Sequence, residues 1–134
     1  METALLALNP RSMIISHKAN RLANTTMITM PGVKSETQVM KLDLLGFCVS
    51  SGSACSSGKV KVSHVLKVMH VSEIHQISAL RISLSPSIKE LDVESFVQAW
   101  HKVYIQCSGQ NHLTSAIDSK TVKRVSSHVP INIT

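Results

Sequence analysis

Residues 49 to 59 read Val-Ser-Ser-Gly-Ser-Ala-Cys-Ser-Ser-Gly-Lys, which sets one cysteine in a run of glycine and serine. Nothing from Ser50 to Gly58 is bulky or β-branched, so the stretch cannot build a core. Serine side chains compete for backbone hydrogen bonds and glycines open positive φ, so the run reads as a mobile loop with a thiol at its tip. A structural cysteine normally has apolar neighbours, and Cys55 has none. Lys59 and Lys61 follow it, and nearby positive charge favours the thiolate, the form that attacks. The competing reading of the same residues is a solvated linker that happens to hold a cysteine. Gly52 to Lys59 also looks a little like a phosphate-binding loop. It has five residues between its glycines where four are needed, and Val60 stands where a magnesium-holding Ser or Thr belongs.

The elements that must position this loop can be read in order. Thr3 to Leu8 is short, apolar and helix-prone, and it stops before Asn9-Pro10 because a residue preceding proline avoids the α region. Met13-Ile14-Ile15 reads as a short strand. Asn24 to Met30, rich in β-branched residues, reads as another, and Pro31-Gly32 as a turn. Ser35 to Leu45 reads as a helix with Glu36 in its first turn and Gly46 at its stop. Phe47 to Ser50 is a second apolar run of strand type, and the cysteine loop follows it.

Beyond the loop, Ser63 is the expected cap of a short helix to about Met69, with Val65, Leu66 and Met69 inward. Ser72 opens another brief turn. Ser78 to Leu84 alternates like a half-buried strand. Ser87-Ile88-Lys89-Glu90 has the capping-box pattern and opens the last helix. That helix carries an apolar stripe of Leu91, Phe96, Val97, Trp100 and Tyr104 and ends near Ile105. The stripe reads as core packing, not as a cofactor box. From Cys107 onward periodicity is lost, and residues 107–134 read as a polar, poorly ordered tail. The resulting order, β-α-β-loop-α-β-α, predicts an α+β fold: helices packed on a three-stranded sheet.

Composition narrows the classes. The chain has 134 residues, enough for one small domain, and only four aromatics, so Val, Ile, Leu and Met must fill the core. Three widely spaced cysteines suit neither a disulfide framework nor a zinc site and fit a reducing, cytoplasmic location. No apolar run approaches the ~20 residues of a membrane span. Met1 to Leu8 lacks the basic start of a signal peptide. The net charge is +6 without a block of like charge, and the basic stretches lack aromatics for base stacking, which argues against nucleic acid.

Several stretches together resemble the cysteine desulfurases, pyridoxal-phosphate enzymes of the class V aminotransferases. Ser50-Ser51-Gly52-Ser53-Ala54-Cys55-Ser56 is similar to their active-site cysteine loop. Arg21 to Thr25 with Met30 to Val33 is similar to the segment before it, and Ser63 to Leu66 and Leu80 to Leu84 match two later landmarks. The resemblance covers residues 16–106 and implies the small C-terminal domain of a fold-type I enzyme, with 1–15 as a truncated helix remnant and lead-in. It implies that Cys55 takes the sulfur of substrate cysteine as a persulfide, leaving alanine, and that Arg81 binds the substrate carboxylate. The rival reading of Arg81 is a strand arginine paired with a local acid.

The resemblance also implies pyridoxal 5′-phosphate in the full-length family, with none expected to bind this chain alone. Ser16-His17-Lys18 imitates the motif of the Schiff-base lysine. In the family, however, that lysine lies far upstream of the cysteine and precedes glycine-proline, whereas here Ala19-Asn20-Arg21 follows. Lys18 is therefore read as a surface lysine, and His64 as a packing or surface residue. Ser85 departs from the family's usual glycine after the Ser-Leu pair. The expected partners are a separate large-domain chain or a second copy, and a sulfur acceptor such as an iron–sulfur scaffold protein. The alternatives are half of a split enzyme, a non-enzymatic sulfur acceptor, or a decayed remnant. Without a partner domain, exposed apolar surface is expected on the N-terminal stub and the inner face of the sheet.

Overall fold

The computed structural model describes residues 1–51 and 63–108. Cys55 with its loop, and the tail beyond Ser108, lie outside the described residues. The elements run α1 (Glu2–Leu8), β1 (Thr25–Thr29), α2 (Ser35–Leu44), β2 (Ser50–Ser51), α3 (His64–Val68), α4 (Glu73–Gln76), β3 (Ala79–Ser83) and α5 (Glu90–Ser108). This is the α+β arrangement the sequence predicts. β3 lies in the middle of a three-stranded antiparallel sheet of order β1-β3-β2. Thr25 faces Ser83 and Thr29 faces Ala79 across β1, while Ser50 faces Arg81 and Ser51 faces Leu80 across β2.

Period-two alternation sends the two faces of the sheet to different tasks. Ile28, Leu80 and Ile82 point into the main core, where Trp100, Phe96, Val97 and Val103 of α5, Leu42 of α2 and Leu5 of α1 meet them. The other face carries a smaller cluster of Ile15, Leu66 and Ala79, with Met13, Met27 and Val71 at its margin. Buried Gln38 ties α2 to the sheet: its Nε2 donates to the carbonyls of Val33 and Ser78, both at 2.9 Å. The N-terminal segment belongs to the same core. α1 packs on α5, and Glu2 accepts hydrogen bonds from Arg21 (2.7 Å) and Thr26 (2.5 Å). The Arg21 guanidinium, then the Thr26 hydroxyl, hold the Glu2 carboxyl below its ordinary range against the opposing effect of burial. A depressed carboxylate supports the fold at neutral pH and loses that contribution as the pH falls through its folded value.

Several expectations need correction. Met13 to Ile15 makes a single bridge, Ile14 to Ile28, and covers the outer edge of β1 rather than forming a strand. β2 starts only at Ser50. Phe47 instead closes α2, its N–H reaching the Leu42 carbonyl while Gly46 at φ 86° bonds Asp43, a Schellman ending. The Phe47 ring then meets Phe96 edge-on at 5.5 Å.

In α3, Leu66 is buried, but Val65 and Met69 are 64% and 44% exposed, because a five-residue helix can turn only one side chain to the sheet. α5 begins at Glu90, where the Lys89 N–H donates to Asp92 at 3.1 Å, and Ser87 bonds Ser85 instead of capping. Leu91 is 70% exposed. It lies on the row of Ser95, Gln98 and Lys102, and Val93 takes its place in the stripe. The helix continues past Ile105 to Ser108, and Lys41 of α2 reaches Gln106. Among the described residues, large exposed apolar side chains lie at Leu22, on α2 (Met40, Leu44), on α3–α4 and at Leu91 of α5, and none lies on α1, whose Leu5 is fully buried.

α3 also ends in a Schellman pattern, with His70 N–H to Lys67 O and Val71 N–H to Leu66 O, but the left-handed position is His70 at φ 55°. Glycine takes this conformation without the ~1–2 kcal/mol cost of an L side chain. His70→Gly is therefore expected to stabilise the chain by about 1 kcal/mol, read as a thermal midpoint about 4 °C higher. Leu80→Ala, which empties the centre of the core, is expected to cost about 2–5 kcal/mol in denaturant unfolding.

Candidate functional site

Arg81 occupies the middle of β3 on the face opposite the main core. Its register partners are Met27 of β1 and Ser50 of β2. The side chain is exposed, and among the described residues no acid forms an ion pair with it. The reading of Arg81 as a structural arginine therefore lacks its partner acid here. A guanidinium presents a rigid fork of donors that fits a carboxylate in two parallel hydrogen bonds, so a carboxylate-bearing small molecule is a suitable ligand.

The segment carrying Cys55 has both of its ends fixed on this part of the molecule. Upstream, Ser50 and Ser51 pair with Arg81 and Leu80. Downstream, Ser63 caps α3 by accepting the Leu66 N–H at 3.5 Å, and Leu66 packs with Ala79 and Ile15. Both anchors thus rest on β3 or its immediate neighbours. Of the two site residues predicted from sequence, the structure places Arg81, and Cys55 lies outside the described residues. His64 is exposed at the start of α3.

Lys18 is exposed on the turn after Ile15, where the Ala19 N–H bonds the Ser16 carbonyl. A Schiff-base lysine requires an environment that removes its charge, usually burial. Every described lysine is exposed except half-buried Lys41, which reaches Gln106. The described residues therefore do not fit a lysine-linked cofactor. Among them no group of three or more His, Cys, Asp or Glu comes together to hold a metal, and no helix is long and apolar enough to cross a membrane.

Sequence reasoning passed over His75 of α4. Its Nδ1 lies 2.7 Å from the Thr29 hydroxyl at the end of β1. Burial, and next the charge of Arg11, push its pKa down. Nothing in the local sequence marks it, since Thr29 is far away along the chain.

Comparison with known proteins identifies the class. Residues 1–96 match the family Aminotransferase class-V, and the chain belongs to that family, whose members use pyridoxal phosphate in general. Within it, two curated relatives are cysteine desulfurases. The chain is 35% identical over 98 residues to cysteine desulfurase 2 of Trichormus variabilis, covering 73% of this chain and 25% of that protein. It is 39% identical over 56 residues to a cysteine desulfurase of Cereibacter sphaeroides, covering 42% of this chain and 14% of that one. Among solved structures, a NifS-like protein of Rickettsia africae superposes with a TM-score of 0.63 at 36% identity, over 77% of this chain and 27% of the other. A second NifS-like protein gives 0.63 at 25% identity, over 76% and 24%. The chain thus resembles NifS-like proteins and spans about a quarter of the length of the Trichormus variabilis enzyme and of both solved structures.

An exposed arginine with no partner acid contributes little to folding. Arg81→Ala is expected to change the unfolding free energy by less than about 0.5 kcal/mol, checked by urea denaturation. A loss of several times that size would restore the structural reading.

Proposed function

We propose that this chain is the thiol-bearing C-terminal portion of a cysteine desulfurase. Arg81 holds the carboxylate of substrate cysteine, and Cys55 receives the sulfur as a persulfide while alanine leaves. The observation that carries the reading is the exposed Arg81 beside the strand that leads into the cysteine segment, in a chain of this family. Cys55 lies four residues beyond Ser51, a stretch that spans at most about 14 Å when fully extended. A thiol on such a short tether is within reach of a molecule held at Arg81. The thiolate is the attacking form, and Lys59 and Lys61 favour it.

Breaking a carbon–sulfur bond takes an electron sink that a thiol and an arginine do not supply. The described residues supply no such sink, so these 134 residues have no desulfurase activity by themselves and depend on the cofactor-binding portion that the family's enzymes carry. Attack requires Cys55 as a free thiol, which a reducing compartment maintains, so we place the chain in the cytoplasm, passing sulfur to an acceptor such as an iron–sulfur scaffold protein.

Mixed with cysteine and pyridoxal phosphate, the purified chain is expected to release no more alanine than its Cys55→Ala variant. Added to a separately expressed cofactor-binding portion of a NifS-like relative, it is expected to restore alanine release and to carry a persulfide on Cys55, detected by mass spectrometry. There, Arg81→Ala should lower kcat/KM at least tenfold, from the ~1.5–3 kcal/mol of a charged hydrogen bond. Alanine formed by the chain alone would overturn its inactivity. Restored alanine release without a persulfide on Cys55 would overturn the assignment of the thiol.

A further inference from the structure

The sheet face around Arg81 is unevenly furnished. Met27 of β1 and Ser50 of β2 are its register partners, and Ala79 and Ser83 lie two positions away along β3. Directly opposed residues of an antiparallel pair point to the same face, with Cβ atoms about 4.5–5.5 Å apart. Met27 and Ala79 belong with the small apolar cluster of Ile15 and Leu66. Ser50 and Ser83 bring hydroxyls instead, the first half-buried and the second exposed. Among the described residues, neither the Ser50 hydroxyl nor the Arg81 guanidinium has a hydrogen-bond partner.

A carboxylate offers about four acceptor sites on its two oxygens. A guanidinium bound through two parallel hydrogen bonds takes one site on each oxygen. A hydroxyl on the neighbouring strand can donate to a site that remains, because its proton rotates to suit. The two serines are not equivalent in this respect. Ser50 stands directly across from Arg81, whereas Ser83 is displaced by about 7 Å along the strand. Ser50 also belongs to the two-residue strand β2, from which the chain runs on to Cys55.

We propose that Ser50 is a second carboxylate-binding residue: its hydroxyl donates to the carboxylate held by Arg81, so that an α-amino acid bridges β3 and the root of the cysteine segment. The inference rests on the reading of Arg81 given above. The carboxylate is not the reacting group, so this contact is made alike before and during reaction. Its loss therefore raises KM and leaves kcat nearly unchanged. A serine that only shaped β2 would instead misplace the Cys55 segment and lower kcat.

The test adds the full chain to the cofactor-binding portion of a NifS-like relative. Ser50→Ala is expected to raise KM for cysteine about threefold or more, with kcat changed less than about twofold. Ser50→Thr, which keeps the hydroxyl and suits a strand, should restore KM. Unchanged KM in Ser50→Ala, equal loss in both variants, or a fall in kcat larger than the rise in KM overturns the role of Ser50 and leaves that of Arg81 standing. If the mixture releases no alanine, the functional reading fails, and binding by the chain alone decides on Ser50. L-Alanine, which has the carboxylate without the reacting sulfur, is then titrated while the Arg81 Nε–H signal is followed by NMR. Its half-saturating concentration should rise about threefold or more in Ser50→Ala. No shift with L-alanine, the same half-saturation in the variant, or an equal shift with L-alaninamide, which lacks the carboxylate, overturns the proposal.

Discussion

β3 is the constraint on which the rest depends. It pairs on both sides, and its alternation assigns Leu80 and Ile82 to one face and Ala79 and Arg81 to the other. A one-residue slip would turn Arg81 into the apolar core and Leu80 out to water. The register is held because one face is heavily buried under α5, α2 and α1. Arg81 is thus positioned by the packing of its neighbours, on the face where cover is thin.

The same division explains where polar groups are buried. On the core side, Gln38 reaches two carbonyls and joins α2 to the turn after β1 and to the residue before β3. On the other side, Thr29 gathers the Met13 amide and His75 around one hydroxyl. The first kind of contact fixes a helix in place with two neutral hydrogen bonds from one amide nitrogen. The second includes a titratable ring, and it holds the elements that lead back from the cysteine segment to the sheet.

Much of this was legible in the residues. The β-branched run of β1, the alternation of β3 and the Gly46 stop of α2 each rest on local rules, and each formed as read. Arg81 was marked by the resemblance to the cysteine desulfurases, and the alternation of β3 accounts for its pointing away from the core. What went astray depended on which side of a short element met the sheet. Val65 and Leu66 are neighbours of similar apolarity, and only the position of α3 over Ala79 selects Leu66. Phe47 reads as a strand residue, yet the ring of Phe96 and the closing bond of α2 claim it. Leu91 fits an apolar stripe by composition, but the helical rotation of α5 puts it on the solvent row.

The sequence by itself determined most of the element types and where the thiol-bearing segment falls in the chain, because propensity, alternation and turn chemistry act between residues close in the chain. Only the tertiary structure decided which strand edges pair, which apolar side chains are covered and that His75 meets Thr29. Those outcomes depend on distances between residues far apart in sequence, set by how α1, α2 and α5 share one face of the sheet.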